Sequence, residues 1–560
     1  MIKVTDQQVS IKPLEHLGLI SATITKLGLI NKIDKRIAVS KAKGAKVSLG
    51  QRVAAMILNG LGFIDDRLYM FPDFLSNKPV DRLIGKGLEA KDFNDDVLGR
   101  CLDEIYKYGV TKLFSEVAFE VGTENNLLGK SAHFDTSSIT VHGDYDEVAE
   151  AENSAITGIK KQPINITHGY SKDHRPDLKQ MVINLATSGA AGFPIWMEAH
   201  SGNASDKTII QEATKKMKDF CAQLKEAPTF LYVGDSAMYE NCVKKAGDLK
   251  WLSRVSETIK EARELLRRDA NEFIWIDREN GYSSTTLTSN YGKVKQRWLL
   301  IFSEQAFARE SKTLERKIIR EKEELDKKLW HLSNRAFACE KDAKKASHEY
   351  LKKIKYHQVE WQVTNAVKHD KKGRPAKGVQ ASKTEYFITG VASQDKQEIK
   401  LQKRTKGRFI LATNELDEKK LSDAEILPEY KEQSKTESGF RFIKGNAMEV
   451  SSVFLKKPSR IEALMMIMTL CLMVYSIAQH QLREALKKAN ETIPNQLKKP
   501  TQNPTMMWVC RLFHGVGIVF LNLGTGTQMI VANLNDLTKR IVSYFGIHAE
   551  IIYGIAKTAG

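Results

Sequence analysis

Three acidic residues stand where divalent-metal chemistry would need them. Asp135 follows the apolar run Ala132-His133-Phe134, and Asp235 follows Leu231-Tyr232-Val233-Gly234. Both runs read as strands, so both carboxylates fall at strand ends, the edge where open α/β sheets gather their sites. Glu437 lies in YKEQSKTESGFRFIK, a helical stretch. Carboxylate oxygens suit hard cations such as Mg²⁺ or Mn²⁺. Two such ions can activate an attacking water or hydroxyl and stabilise the leaving oxygen of a phosphodiester. Spacing alone leaves two other uses open. A strand-end Asp often caps the helix that follows, and a pair of carboxylates can hydrolyse a glycosidic bond.

Charge narrows the substrate. The chain has 560 residues, with 86 Lys+Arg against 68 Asp+Glu, a net charge of +18 and a pI near 9.3. Such a balance favours a polyanion over a neutral sugar. Basic residues concentrate in 309–378 and 482–499, as stripes along DNA would. A hydrophobic share of 42% with 28% charged residues fits a soluble protein with a large core and excludes a disordered chain or a small stapled scaffold. The six cysteines (101, 221, 242, 339, 471 and 510) include no CxxC. That argues against a disulfide framework or structural zinc and for a reducing cytosol. The opening MIKVTDQQVSIKPLEHLGLI is interrupted by charges too often for a secretory signal. The run from Ile461 to Ala478 is nearly long enough to cross a bilayer. It holds Glu462, Thr469 and Ser476, and reads as a buried helix of a soluble protein.

Length gives a prior of about three or four domains, and the elements that must position the three carboxylates divide the chain into five segments. Residues 1–128 read as helical, with apolar residues at helical spacing in 53–58 and 97–105. Residues 129–268 alternate strand and helix. Met181–Leu185 and Phe193–Met197 form two strands about an SGAAG turn, a helix covers 206–224, a strand 229–233, a helix 238–246 and a strand 251–255. This pattern predicts a mixed α/β sheet. In 269–410, β-like runs at 273–276, 297–302, 361–363 and 386–388 flank a charged helical arm over 305–356. Leu314, Ile318, Leu325, Leu329 and Leu332 share one face of that arm, and a break near Ser333-Asn334 predicts a helical hairpin. A strand at 408–413 leads into 411–490, which is mainly helical, and 491–560 is a mixed C-terminal region.

Around Glu437 the pattern becomes specific. Tyr430, Gln433, Glu437 and Lys444 are separated by two, three and six residues. This run is similar to the tyrosine–arginine–glutamate–lysine signature of one group of DDE transposases from bacterial insertion sequences. Gln433 stands where that signature has arginine. His168-Gly169-Tyr170-Ser171-Lys172, followed by Arg175 and Asp177-Leu178, resembles a further stretch of the group. So do Gly202-Asn203-Ala204-Ser205-Asp206, Val233-Gly234-Asp235 and Pro504-Thr505-Met506-Met507-Trp508. The resemblance implies an RNase H-like catalytic core interrupted by a β-rich insertion between the second aspartate and the glutamate.

The same resemblance implies that Asp135, Asp235 and Glu437 bind two divalent ions, Mg²⁺ or Mn²⁺. The chain would nick double-stranded DNA at terminal inverted repeats, and the freed 3′-hydroxyl would attack a second phosphodiester. It would act as at least a homodimer, in the bacterial cytoplasm at the nucleoid, with no membrane. Tyr430, Gln433 and Lys444 would contact DNA. Lys444 lies two helical turns beyond Glu437 and shares its face. Lys172 and Arg175, in a basic loop, are candidates for phosphate contact. Lys372 and Arg374 lie in KKGRPAK, which resembles the Gly-Arg-Pro core of minor-groove AT-hooks. A charged loop would read the same way. Trp298 is a candidate for stacking on a flipped base, although a strand tryptophan also suits a core. A repurposed, inactive DNA-binding protein and a nuclease without strand transfer remain the alternative readings.

Overall fold

The computed structural model describes residues 9–38, 46–63, 70–143, 145, 152–153, 160–245, 247–351, 354–368, 383–445, 455–523 and 526–556. They fall in two compact units, Met1–Leu252 with Pro428–Gly560, and Ser253–Leu427.

The first unit opens with a strand, Val9–Pro13, that the helical reading of 1–128 did not anticipate. Helices follow, among them Leu49–Gly60, Asp95–Tyr108 and Val110–Glu124. Ser48 and Gln51 cap the first of these reciprocally, and Asn94 caps the second through Val97 N. Their apolar faces, including Val53, Ile57, Leu98, Leu102 and Leu113, are buried.

The main sheet of this unit begins with β1 (Ser131–Val141). It runs on well past Phe134, because Thr136, Ile139, Thr140 and Val141 are β-branched and pair antiparallel with β2 (Lys179–Ser188). Asp135 therefore lies inside the strand, opposite Leu185, and not at its end. β2 turns into β3 (Phe193–Ser201) through Gly189 and Gly192, both at positive φ. Helix α1 (Asp206–Cys221) leads to β4 (Leu231–Gly234), which runs parallel to β1. Helix α2 (Ser236–Lys245) and β5 (Trp251–Arg254) follow. The order β3-β2-β1-β4-β5, with three antiparallel strands and then a parallel neighbour, is RNase H-like.

In the second unit, helix α3 (Lys260–Arg267) precedes β6 (Ile276–Arg278), β7 (Tyr282–Ser289) and β8 (Gln296–Ser303). The β-like run at 273–276 forms a strand only from Ile276, because Asp269 and Glu272 cap each other and bend the preceding residues into a 3₁₀ turn. Helices α4 (Glu304–Asn334) and α5 (Glu340–Leu351) form the expected helical arm, broken just after Asn334. β9 (His357–Lys368) and β10 (Lys383–Gln394) make a long antiparallel ribbon. Leu325 and Leu329 pack with Ala392, and Leu332 with Ile388, so the shared face of α4 is the seam to the ribbon. Helix α6 (Lys396–Thr405) and β11 (Arg408–Thr413) complete an antiparallel sheet of order β11-β8-β7-β6.

Helix α7 (Asp423–Lys431) precedes α8 (Gln433–Ile443) and α9 (Pro458–Ala489), both of the first unit. The most apolar stretch of α9 is 83% buried inside the fold, which makes it a core helix. Gly517–Leu523 pairs with Gly526–Ala532 on one side and with the N-terminal strand Val9–Pro13 on the other.

Candidate active site

Asp135 and Asp235 are brought together by strand register. β1 and β4 pair at Ser131–Leu231, Ala132–Tyr232 and His133–Val233. Continued by two residues, that register sets Asp135 level with Asp235. Asp235 is the first residue beyond β4, and its Oδ1 accepts from Ala237 N at 2.9 Å at the start of α2. The capping use of this aspartate is thus realised. It also fixes the carboxylate's direction.

Burial pushes the Asp135 carboxyl up to about 6. The Thr136 N–H, 2.7 Å from Oδ1, and the Lys172 ammonium oppose the rise, while the charges of Asp235 and Glu437 add to it. Asp135 therefore senses both of the other carboxylates electrostatically. Among the described residues no three His, Cys, Asp or Glu side chains are drawn closely enough together to hold a metal ion. The donor set still fits a hard divalent cation. It is all oxygen, and the charges of Asp235 and Glu437 raise the proton affinity of Asp135, a cost that a dication would remove.

Glu437 reaches this edge on α8, which is fastened to β1 by polar side chains. Thr436 Oγ1 donates to His133 O at 3.2 Å and lies 2.6 Å from Thr187 Oγ1. Gln433 Nε2 donates to Phe134 O at 3.4 Å, a long bond. One turn earlier, on α7, Glu429 accepts from the Ser131 hydroxyl and lies 3.3 Å from His133 Nε2. The imidazole bond holds the Glu429 carboxyl below its usual range. Glu429, Gln433 and Thr436 are spaced by four and three residues, so one helical face lies along Ser131–Phe134. Glu437, the next residue, is exposed and close enough for its charge to act on Asp135. Gly439 keeps the approach close, since a Cβ there would lie 3.0 Å from Leu472 Cδ2 and 3.2 Å from Leu185 Cδ2.

Of the other candidates, Lys172 turns inward. Its Nζ donates to Thr136 O at 2.7 Å and to Thr136 Oγ1 at 3.1 Å, and pairs with Asp206 at 3.0 Å. Its backbone N–H donates to Ser138 Oγ at 3.0 Å. The loop thereby covers the edge of β1 beyond the end of β4. Lys444 caps the C-terminal end of α8 and pairs with Asp173 of the same loop at 2.9 Å. Tyr430 is half-buried on α7. Arg175 is exposed and pairs with Asp177 at 2.7 Å. Gln433 is buried at 7% exposure and faces β1 rather than solvent. Trp298, in the second unit, is 3% exposed on β8 with its Nε1 on Gln296 Oε1 at 3.0 Å, and offers no open face for a base. Lys372 and Arg374 lie outside the described residues.

Sequence reading missed Ser131, His133, Glu429, Thr187 and Thr436. The spacing of 429, 433 and 436 was the available signal for the helix residues. Nothing in the sequence alone points to their partners on β1 and β2.

Residues 134–474 match the family described as Transposase DDE domain, and residues 9–119 match a domain of unknown function, DUF4277. Among curated proteins no sequence matches. Among solved structures, the chain is similar to a cryo-EM structure of the piggyBac transposase synaptic complex with hairpin DNA, at 10% identity and a TM-score of 0.34. That similarity covers 85% of this chain and 78% of the other.

Proposed function

Because the chain belongs to the DDE transposase family, we propose that Asp135, Asp235 and Glu437 are the carboxylates through which it cuts and rejoins DNA. The observation that carries this reading is the shared strand. Asp135 sits on β1, Asp235 is level with it by register, and the helix of Glu437 is latched to the same few residues.

The family acts with divalent metal. Asp135, Asp235 and Glu437 would hold it here, as two Mg²⁺ or Mn²⁺ ions. When bound, the metal lowers the pKa of the attacking water and neutralises charge on the phosphate. The chain's own groups do the rest. Asp235 is aimed by its cap to Ala237 N, and Glu437 by the docking of Thr436. Lys172 holds the Asp135 segment of β1 from its open edge. In the first step water attacks phosphorus, the bond from phosphorus to the 3′-oxygen breaks, and that oxygen leaves as a 3′-hydroxyl. In the second step the hydroxyl attacks another phosphodiester, giving up its proton and releasing that bond's leaving oxygen.

DNA is the partner, and we assign the chain terminal inverted repeats as its cleavage sites and target DNA as the acceptor, bound by a homodimer. The cytoplasm of a bacterial cell, at the nucleoid, is the corresponding location. The test is incubation of the purified protein with labelled DNA bearing the gene's own flanking ends and a target plasmid, with Mg²⁺, with EDTA, and with Glu437→Gln. Metal-dependent cutting with joined product, lost in the variant, is expected. Cutting without joining would make the protein a nuclease, and end binding without cutting a repurposed binding protein. Cutting that survives Glu437→Gln would remove Glu437 from the site.

A further inference from the structure

Helix α6 in the second unit has no buried residue, yet it is one of the most basic elements of the chain. It carries Lys396, Lys400, Lys403 and Arg404, with Lys406 at its C-terminal cap and Glu398 as its one carboxylate. Asp395 lies just outside, capping the N-terminus through Glu398 N at 3.0 Å. Arg404 is engaged by Asp269. Lys396, Lys400 and Lys403 are exposed, and none has an ion-pair partner among the described residues. Their spacing of four and three puts them on one face. Like charges at such spacing destabilise a helix. The half-buried Ile399 and Leu401 are the apolar anchors that set this off.

The neighbouring helix α3 does not neutralise the face. Its Lys260 and Glu264 are 3.9 Å apart, and Arg268, at its end, pairs with Glu272 at 2.7 Å. Its remaining charged residues, Glu261, Arg263 and Arg267, sum to +1. The basic residues that stood out in the sequence, 309–378 and 482–499, do not include α6. The long helix α4, within the first of those stretches, interleaves its lysines and arginines with glutamates and ion pairs such as Arg320–Glu324 at 2.8 Å. Among the described residues, α6 keeps three exposed lysines outside any ion pair, with only Asp269, already held by Arg404, close enough to act on Lys400.

We propose that the Lys396–Lys400–Lys403 face lies along the sugar–phosphate backbone of duplex DNA and holds it irrespective of sequence, an inference that rests on the reading of the chain as a DNA transposase. Three lysines over two helical turns span about 10 Å. That is the axial length of about three phosphates of one strand, at ~3.4 Å each. Lysines contact phosphates as point charges and read no base, so the surface serves any duplex equally. An anionic bilayer would call for exposed apolar residues among the cations, and α6 exposes none.

The test uses the full chain with Lys396, Lys400 and Lys403 all changed to Gln. Affinity for a random-sequence duplex and for an end-bearing duplex is measured by fluorescence anisotropy across a salt series. The slope of log K against log salt is expected to fall by about 2 to 3, and affinity at ~0.1 M salt by about 100-fold, for both duplexes alike. A control changes the exposed Lys341, Lys344 and Lys345 of α5 to Gln and should bind as the unmodified protein does. Unchanged binding by the α6 variant, or an equal loss in the control, would overturn the assignment while leaving the DNA reading intact. Failure of the unmodified protein to bind either duplex would overturn both. Binding to vesicles of anionic phospholipid that depends on the three lysines, with DNA binding unaffected, would assign the face to a membrane instead.

Discussion

Asp135 and Asp235 stand level on adjacent parallel strands, two residues past the last paired position, His133 opposite Val233. Strands lie ~4.8 Å apart, so the register brings Asp235 near Asp135, whose burial makes its own charge expensive.

That cost is measurable without DNA. The folded chain holds the Asp135 proton up to about 6, above the unfolded value, so stability falls as pH rises from the ordinary carboxylate range through about 6. Above that window the full cost is present, up to about 3 kcal/mol by linkage. Asp135→Asn should therefore raise the Tm at pH 8 in EDTA and change it little near pH 4. Divalent ions should stabilise the unmodified protein and not the variant. A lower Tm for Asp135→Asn at pH 8 would contradict this.

Glu437 is exposed and one residue from the latch, so its loss should spare the fold. Glu437→Gln is expected to keep DNA affinity within about threefold while cleavage falls by at least ~10³, a loss of roughly 4 kcal/mol of barrier lowering. Filter binding and single-turnover cutting on the same preparation separate the two.

Thr436→Val keeps shape and removes a hydroxyl. Thr187 Oγ1 then loses a partner at 2.6 Å and His133 O loses one at 3.2 Å, both buried. The expected destabilisation is about 1–3 kcal/mol, read by urea unfolding, with cleavage reduced more than DNA binding because Glu437 is less well held. Thr436→Ser should restore most of both.

The Glu429 carboxyl is held below its usual range by His133, so the bond's contribution is present above the unfolded pKa and is lost as pH falls through the folded one. In Glu429→Gln the acid limb of stability should be shallower than in the unmodified protein. Urea midpoints at pH 7 and near pH 3.5 give the comparison, and parallel curves would count against the pairing.

Trp298→Ala should act through the fold. Its ring is buried on β8, and truncating such a residue costs about 3–5 kcal/mol. Protease sensitivity of the second unit should rise before any selective change in DNA products. A fully folded Trp298→Ala that accumulates nicked ends would instead restore the base-stacking role.

The candidate site was legible where chemistry and spacing coincide. Asp235 follows a short apolar run that can only be a strand, and the spacing from Tyr430 to Lys444 survives a substitution at Gln433. The mixed sheet could be read from 181–197 and 229–255, since both runs are apolar and bounded by turn residues. Asp135 reads as a strand end because the apolar run stops at Phe134, and only the long pairing with β2 keeps Thr136-Ser137-Ser138 extended. The placement of Gln433 was not legible for a similar reason. A polar helix residue looks solvent-facing until the strand that satisfies it, here through Phe134 O, is known. The N-terminal strand Val9–Pro13 depends on partners more than 500 residues away, beyond the reach of local pattern.

The first unit is built from two stretches of chain with Ser253–Leu427 between them. A ribosome adding ~5–20 residues per second needs roughly 10–35 seconds to cross that interval. Throughout it, β1 and Asp135 exist without the helix of Glu437, and the N-terminal strand without Gly517–Leu523. Under the proposed assignment, a nascent chain that has not passed Leu427 therefore lacks one of the three carboxylates and the helix that carries it.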